Sequence, residues 1–571
     1  KILDLLSSMY DIASGEDMLE TIDPQLEALL PYYNRLEEEA FLIGSRHFGK
    51  NIIYSLDTKK QKSFSFLDEN NHQFYCYLDG YQEASDEVRI FEVKATTSKK
   101  FMELGPKVKG VQTSIFKKSG PFIRLDTHSK IDKDKFEANY QKLFNRFSSV
   151  GRYAFDLAIE RYFIENSLQQ HRSFDKPHRY YLVVLNSDYV FDGTYDENKQ
   201  MVFNPSANEE LVSFVDLTEV TKAYLPLIKK LHKQITSFLK SMDGSEVPIG
   251  PFCERKKQGS CLFISTCWKK VLQEGSILEY IQNHVGFKDD NGIRHSTIDL
   301  INQGMKKIDD IPSSWLTRPN NQIQRKCYDN QEEYIDYDKI KKGISCIKYP
   351  IYHLDFESFP CPLPRFKHEK PYNQSVFQFS IHVERKKGEC DTDADHYEYL
   401  APDFSDHRED LIKAMIDVID LSKGGTVLVY NKAFEQTRIK EFAEMFSQYK
   451  TSLSKINRHM FDLIDIVYTN SKLYSKELGF SEVEGKTLNY YHNQLRGSYS
   501  IKKVLPLFSN LSYQDLEVAN GTEAIAAYAQ FPQLDDEDLR QLRSNLVYYC
   551  KQDTWAMVVV LWGLMKKVGL L

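Results

Sequence analysis

The chain has 571 residues, of which 42% are hydrophobic and 27% charged, and its formal net charge is -7. At about 150 residues per domain this length predicts roughly two to four domains, and the composition excludes wholesale disorder. The acidic excess excludes a surface that is basic throughout, although a local basic groove remains compatible with it. The apolar run 556–565 is about half as long as the roughly 20 residues that a bilayer-spanning helix needs. The short run predicts no membrane partner. Nine cysteines are too few for a secreted disulfide scaffold, so we expect a cytoplasmic location.

The first half of the chain combines helix and strand patterns. We predict its regular elements at these positions: a helix within 1–50, strands at 74–78 and 88–95, a helix at 135–167, a strand at 180–186 and a helix at 216–241. The polar stretch 80–87 predicts a turn between the first two strands. Residues 99–135 are rich in lysine and weakly periodic, which indicates an exposed insertion.

The second half begins with a mostly helical connector and then alternates between strands and helices. We predict strands at 352–356, 376–383 and 426–430, and helices at 411–421, from 433 onward and at 536–567. This alternation is typical of an α/β fold class. We therefore expect three segments, 1–275, 276–347 and 348–571, of which the middle one is the connector.

Four acidic residues on three of these elements form the most informative pattern. Asp355 and Glu357 are two apart in a predicted strand, so their side chains project from the same side of it. Glu435 lies where a strand ends and a helix begins, and Asp553 lies on the last helix, four residues after Tyr549 and on the same face. Neighbouring carboxylates repel each other unless a cation lies between them. The pattern therefore predicts a cation site.

Carboxylate oxygens are the ligands that Mg²⁺ and Mn²⁺ prefer. Two such ions about 4 Å apart activate a water molecule and stabilise the leaving oxygen of a phosphodiester. We expect Asp355, Glu357, Glu435 and Asp553 to be metal ligands and catalytic residues, and Tyr549 to orient the attacking water.

The order of these motifs is similar to that of a known family. Asp355-x-Glu357, Asn431-x-x-Phe434-Glu435 and Tyr549-x-x-x-Asp553 resemble the three exonuclease motifs of the DEDD superfamily, which includes DnaQ-type proofreading domains. The spacing matches the tyrosine subtype, whereas the family usually has Asp in place of Glu435. The resemblance implies an RNase H-like fold and 3′–5′ exonuclease activity for residues 348–571.

A second set of residues lies near the N-terminus. Glu92 and Lys94 share one face of a predicted strand, and Asp79 ends the strand before it. Two acids that bind Mg²⁺ and a lysine that stabilises charge near the scissile phosphate suit phosphodiester hydrolysis. The set resembles the site of PD-(D/E)XK nucleases, in which a glutamine on the following helix takes the place of Glu160 here. The alternative interpretation is a row of exposed strand charges.

Three cysteines follow this region, with the spacing Cys253-x7-Cys261-x5-Cys267. Thiolates in such a group bind a [4Fe–4S] cluster or zinc. The spacing resembles that of RecB-type nucleases, in which an N-terminal cysteine completes the cluster, but no cysteine precedes Cys76 here. The fourth ligand lies upstream of this sequence, or the cluster is absent or replaced by zinc; three buried thiols are the alternative.

Three further residues are weaker candidates. Asp462, in the sequence Phe461-Asp462-Leu463, is expected either to help position the acidic site or to have a capping or surface role. Lys502 and Lys503 follow the stretch 497–501, which is expected to precede a helix near the substrate. We interpret these two lysines as phosphate contacts or as solvated surface charges.

As a whole, the chain resembles a bacterial family that joins a RecB-like PD-(D/E)XK nuclease of the iron–sulfur type (1–275), through the connector (276–347), to a DEDD exonuclease-like domain (348–571). The resemblance implies a metal-dependent nuclease with two sites. We expect its substrate to be DNA, with RNA as the alternative, and we expect protein partners in a DNA-processing or defence system. The alternative is a nucleic-acid-binding or scaffold subunit of such a system, with one or both sites inactive.

Overall fold

The computed structural model describes residues 24–171, 176–240, 248–250, 253, 264–513 and 516–571. The protein is a mixed α/β protein, as its alternating strand and helix patterns predict. It divides into two compact units: Lys1–Gly244 with Pro360–Ser375, and Ser245–Phe359 with Val376–Leu571. The expected segment boundaries at 275 and 347 stay predictions.

The first unit contains a seven-stranded sheet. Its strands, in spatial order, are Ile53–Tyr54, Gly80–Glu83, Val88–Thr97, His178–Leu185, Val212–Asp216, Phe122–Leu125 and Phe116–Ser119. Val88–Thr97 is antiparallel to Gly80–Glu83 and parallel to His178–Leu185. Two small hairpins pair Ser63–Leu67 with Gln73–Tyr77 and Lys107–Val108 with Val111–Gln112.

The described helices of the first unit pack on both faces of this sheet. They are Pro24–Phe48, Lys99–Met102, Lys133–Tyr140, Gly151–His171 and Thr218–Lys240. Leu157 and Val220, from the two long helices that flank His178–Leu185, pack with Ile90 and Leu182 of the central strands. The other face of these strands is buried as well, because Phe91 and Tyr181 pack against Phe48 of the helix Pro24–Phe48.

Three expectations for the first unit are wrong in part. Residues 99–135 are not an exposed insertion, because Phe116 and Ile123 are buried and their strands belong to the main sheet. The predicted turn at 80–87 contains the strand Gly80–Glu83. The helix predicted at 135–167 is two helices, Lys133–Tyr140 and Gly151–His171, because the chain between them forms a 3₁₀ turn and a loop.

The second unit contains a five-stranded sheet, ordered His396–Leu400, Gln374–Glu384, Ile351–Pro360, Thr426–Val429 and Met460–Asp462. Ile351–Pro360, Thr426–Val429 and Met460–Asp462 run parallel, whereas His396–Leu400 is antiparallel to its neighbour. Two further pairs join Phe287–Lys288 to Arg294–His295 and Tyr334–Ile335 to Tyr490–Tyr491.

The helices of the second unit confirm most of the predicted positions. They are Ile264–Cys267, Thr297–Asn302, Pro319–Asn330, Tyr337–Ile344, Arg408–Val418, Lys432–Met445, Lys450–Arg458, Ile464–Val467, Glu482–Lys486, Ile501–Val504, Gly521–Gln530 and Asp536–Lys567; a π-helix spans Lys472–Glu477. The last helix has the predicted bounds, and Asp535 caps it by accepting the N–H groups of Glu537 and Asp538. In the described part of the chain, every helix is too short or too polar to cross a membrane.

Candidate functional site

The strand Ile351–Pro360 aligns the first two acidic residues. Leu354 and Phe356 are buried in the core of the second unit. Because side chains alternate across a strand, Asp355 and Glu357 project from its other face. The strand pattern predicted from the sequence is confirmed here.

The last helix brings a third carboxylate to this face. Asp355, Glu357 and Asp553 each have a ligand oxygen, and these three oxygens lie within 4.8 Å of one another. Burial raises the pKa of Asp355 well above its ordinary value, and so does repulsion by Asp553 and Glu357. Burial and then Asp553 raise the pKa of Glu357 to about 8. A divalent cation bound between these oxygens would remove the repulsion, so the donor set fits Mg²⁺ or Mn²⁺.

Glu435 lies beside this group without joining the closest set. It is 2% exposed in the first turn of the helix Lys432–Met445, and its negative charge raises the pKa of both Asp355 and Glu357. Burial raises its own pKa to about 8. Among the described residues its Oε2 has no hydrogen-bond partner. A buried carboxylate oxygen without a donor fits a metal ligand.

Asp462 fixes the start of the helix that carries Glu435. Its carboxylate accepts the backbone N–H groups of Asn431 at 3.1 Å and of Lys432 at 2.8 Å. Asn431 has a φ of 85°, in the left-handed region, where the chain turns from strand into helix. The structure shows the capping role expected for Asp462, and because this cap holds the start of the helix it also helps to position Glu435.

Two tyrosines contact Asp553. Tyr549, 4% exposed, hydrogen-bonds to the carboxylate from the same helix. Tyr513 donates its hydroxyl to Oδ1 of Asp553 over 2.6 Å, and the two rings meet edge to face with centroids 6.3 Å apart. Burial raises the pKa of both hydroxyls, and the charge of Asp553 raises it further. Sequence reasoning missed Tyr513, because it lies in a loop outside the motif spacings.

Lys502 adds a positive charge to the site. Its ammonium lies 5.0 Å from the ring centroid of Tyr513 and 5.2 Å from that of Tyr549, and it donates to the carbonyl of Ala519. Its charge opposes the rise in the pKa of Glu357. This lysine, one of the three weaker candidates from the sequence, therefore lies next to the carboxylates.

The residues predicted in the first unit also lie together. Oδ2 of Asp79 accepts the backbone N–H of Val93 over 2.9 Å, and Nζ of Lys94 lies 2.5 Å from Oε1 of Glu92. Asp79 and Glu92 are buried, with 2% and 3% exposure. Strand pairing sets Gly80 opposite Phe91, so Asp79 lies beside Glu92 and Lys94 at the middle of Val88–Thr97.

The following helix adds two acids to this set. Burial lowers the pKa of Lys94, but the charges of Glu92, Asp156 and Glu160 outweigh burial and raise it overall. Asp156 and Glu160 both come from the helix Gly151–His171, and sequence reasoning missed Asp156. Among the described residues, Asp355, Glu357 and Asp553 of the second unit are the acids whose ligand oxygens lie within 4.8 Å of one another. The carboxylate oxygens of the first unit are therefore farther apart than these.

The cysteines are described only in part. Cys253 is half-buried against the core that contains Trp268 and Ile277, and Cys267 is exposed at the end of the helix Ile264–Cys267. Cys261 lies outside the described residues. The expected cluster or zinc site therefore stays a prediction.

Comparison with known proteins adds a family match but no activity. Residues 352–500 match a domain of unknown function, DUF2779; this range includes Asp355, Glu357 and Glu435 but ends before Tyr549 and Asp553. The chain is 29% identical over 223 residues to the uncharacterized protein UU173 of Ureaplasma parvum, covering 36% of this chain and 30% of that protein. It is 24% identical over 241 residues to the uncharacterized protein MG366 of Mycoplasma genitalium, covering 39% and 33%. The chain thus spans about a third of the length of these relatives, and no solved structure matches it.

Proposed function

We propose that the protein is a divalent-metal-dependent nuclease whose second unit is a DEDD-type, RNase H-like 3′–5′ exonuclease. The observation that carries this proposal is the convergence of Asp355, Glu357 and Asp553 within 4.8 Å. Glu435 is the fourth acid of the same site. The parallel strands Ile351–Pro360 and Thr426–Val429, followed by the helix that starts at Lys432, support the RNase H-like assignment.

The four carboxylates would hold Mg²⁺ or Mn²⁺, which supplies positive charge to the scissile phosphate when bound. The hydroxyl of Tyr549 orients a water molecule for attack on phosphorus. The bond from phosphorus to the 3′ oxygen of the preceding nucleotide breaks, so the products are a nucleoside 5′-monophosphate and a strand with a new 3′ hydroxyl. Lys502 contributes a fixed positive charge beside the developing negative charge.

For the first unit we propose a second nuclease site of the PD-(D/E)XK type. The contacts of Asp79 with Val93 and of Lys94 with Glu92 support it. The strand pair Gly80–Glu83 and Val88–Thr97 supports it as well, because these strands carry the set together with the helix Gly151–His171. We further propose a [4Fe–4S] cluster or zinc at Cys253, Cys261 and Cys267, which follow the main segment of the first unit, Lys1–Gly244, in the sequence. The proposal also includes a cytoplasmic location and protein partners in DNA processing or defence.

Digestion of 5′-labelled single-stranded DNA and RNA in Mg²⁺ or Mn²⁺ tests both sites. We expect the wild type to produce a ladder of 3′-shortened strands, Asp355→Asn to abolish the ladder and Lys94→Ala to retain it. Residual cleavage in Asp355→Asn that disappears in the double variant would come from the first unit. Absence of any cleavage by the wild type in either metal would overturn the nuclease proposal and favour a binding or scaffold role.

A further inference from the structure

An open groove of about 310 Å³ lies in the second unit, between the segments 271–279 and 495–503. Its apolar wall includes Leu272 and Leu278, and its polar lining includes Ser498 and Lys503. This volume is at the lower end of the range for ligand-binding pockets, so it suits one nucleotide rather than a long segment.

The two walls of the groove are held together by specific contacts. Arg496 pairs with Glu279 through Nε and Oε1 at 2.7 Å and donates from Nη2 to the carbonyl of Leu272 at 3.0 Å. Gly497 has a φ of 75°, and a Cβ on it would lie 2.1 Å from the carbonyl oxygen of Glu279. The segments therefore approach as closely as only glycine permits, and the groove is a built feature.

One short helix connects this groove with the carboxylates. Lys502 and Lys503 are consecutive in the helix Ile501–Val504, so their side chains point about 100° apart. Lys502 extends to the two tyrosines that contact Asp553, whereas Lys503 lines the groove. The groove and the carboxylate site therefore both receive a lysine from the same short helix.

The charge of the groove favours an anionic ligand. The positive charge of Arg496 is paired with Glu279. Within the described residues, the ammonium of Lys503 has no hydrogen bond or ion pair, so its charge remains uncompensated. A cation beside an apolar wall matches a phosphodiester beside a base, which is how proteins bind single strands without reading their sequence.

We propose that this groove binds a nucleotide upstream of the 3′-terminal nucleotide of a single strand. Lys503 contacts its phosphate, and Leu272 and Leu278 contact its base. The inference rests on the proposed exonuclease site and deepens it, since it assigns the site an unpaired strand of several nucleotides as its substrate.

Kinetics on a dinucleotide and a 12-nucleotide strand test the proposal in the full-length protein. The ratio of kcat/KM for the long strand to kcat/KM for the dinucleotide measures the contribution of upstream nucleotides. We expect Lys503→Ala to lower this ratio on the order of tenfold and Leu272→Glu, which adds a negative charge to the exposed wall, to lower it as well. The matched control Lys387→Ala removes another exposed lysine and should leave the ratio unchanged. An unchanged ratio in Lys503→Ala would overturn the proposal.

A binding measurement tests the proposed groove independently of the proposed exonuclease activity. Fluorescence anisotropy of labelled oligo-dT of 12 nucleotides, with Ca²⁺ and the Asp355→Asn background, needs no catalysis. About tenfold weaker binding in Asp355→Asn/Lys503→Glu than in Asp355→Asn supports the groove, even if the wild type trims nothing. Equal binding by the two variants, or binding by neither, contradicts it.

Discussion

The hydroxyl of Tyr513 donates a 2.6 Å hydrogen bond to Oδ1 of Asp553, a residue 40 positions further along the chain. This bond and the one from Tyr549 both lower the pKa of Asp553, against burial, which raises it. The two hydroxyls therefore favour the ionised form of Asp553 that a metal ion requires. Tyr513 is a positioning residue of this site.

Tyr513→Phe removes one donor and leaves the ring in place. Hydrogen bonds to charged groups contribute about 1.5–3 kcal/mol, so we expect the Mn²⁺ concentration for half-maximal trimming to rise by roughly tenfold or more. Titration of the trimming rate with Mn²⁺ measures this shift. Saturating Mn²⁺ should restore much of the rate in Tyr513→Phe but not in Tyr549→Phe, which lacks the hydroxyl that orients the water. A rate loss in Tyr513→Phe that is independent of Mn²⁺ would contradict the positioning role.

Asp355→Asn is expected to stabilise the metal-free protein. Burial and the charges of Asp553 and Glu357 disfavour ionised Asp355, and one unit of pKa corresponds to about 1.4 kcal/mol. We therefore expect the free energy of unfolding in EDTA to increase. All four tryptophans, Trp268, Trp315, Trp555 and Trp562, lie in the second unit, so their fluorescence during urea denaturation reports on this unit.

Metal ions should make the wild type more stable than Asp355→Asn, the reverse of the order expected in EDTA. Mn²⁺ that binds the folded state stabilises it by mass action, so we expect millimolar Mn²⁺ to shift the urea midpoint of the wild type upward and to leave Asp355→Asn nearly unchanged. Asp417→Asn, a carboxylate change on the helix Arg408–Val418, serves as the control. Equal shifts in all three proteins would show that the ions bind elsewhere.

The sequence predicted those parts of the site that local geometry determines. Asp355 and Glu357 alternate with buried apolar residues in one strand, and Tyr549 and Asp553 are one helical turn apart, so spacing alone places each pair. Tyr513 reaches Asp553 through tertiary packing of a loop, which leaves no periodic signal in the sequence.

The incorrect expectation for residues 99–135 also has its origin in tertiary packing, which the local sequence pattern does not show. Residues 99–135 are rich in lysine, and this composition indicated an exposed segment. The alternation of buried Phe116 with exposed Lys117 is confined to a short strand, so it gave only a weak signal. Burial of Phe116 and Ile123 depends on a sheet whose other strands lie far away in sequence. Such long-range pairing is set by the whole fold and not by the local pattern.

Lys94→Ala is expected to destabilise the first unit. It leaves the buried carboxylate of Glu92 without the ammonium that lies 2.5 Å away, and an uncompensated buried charge is costly. Because the lysine side chain is 30% exposed, we expect a loss of about 2 kcal/mol, below the range for fully buried pairs.

Hydrogen exchange of the strand Val88–Thr97 measures this loss within the first unit. The double variant Glu92→Gln/Lys94→Met removes both charges and should recover most of the protection. Lys99→Ala, a change at a side chain that is 65% exposed, should have little effect. If the double variant exchanges as fast as Lys94→Ala, packing of the lysine stem rather than charge would explain the loss.

His382 should make the second unit less stable in acid. Its Nδ1 lies 2.8 Å from Oγ1 of Thr554, and its Nε2 lies 3.2 Å from the carbonyl of Thr392. Burial lowers its pKa to about 3, with further contributions from the neighbouring His396, His353 and Lys551. Burial also lowers the pKa of His396, to about 4.

The sign of this pH dependence of stability follows from proton binding. Between pH of about 6.5, where an unfolded histidine titrates, and pH of about 3, the unfolded chain binds a proton at this position and the folded one does not. Stability is therefore fully present above about pH 6.5 and falls as the pH drops, by up to about 1.4 kcal/mol per unit. His382→Gln keeps a polar side chain without this titration, so we expect its free energy of unfolding to fall less steeply between pH 6 and pH 4. Urea denaturation followed by tryptophan fluorescence at several pH values measures both slopes, and parallel slopes would assign the acid sensitivity to other groups.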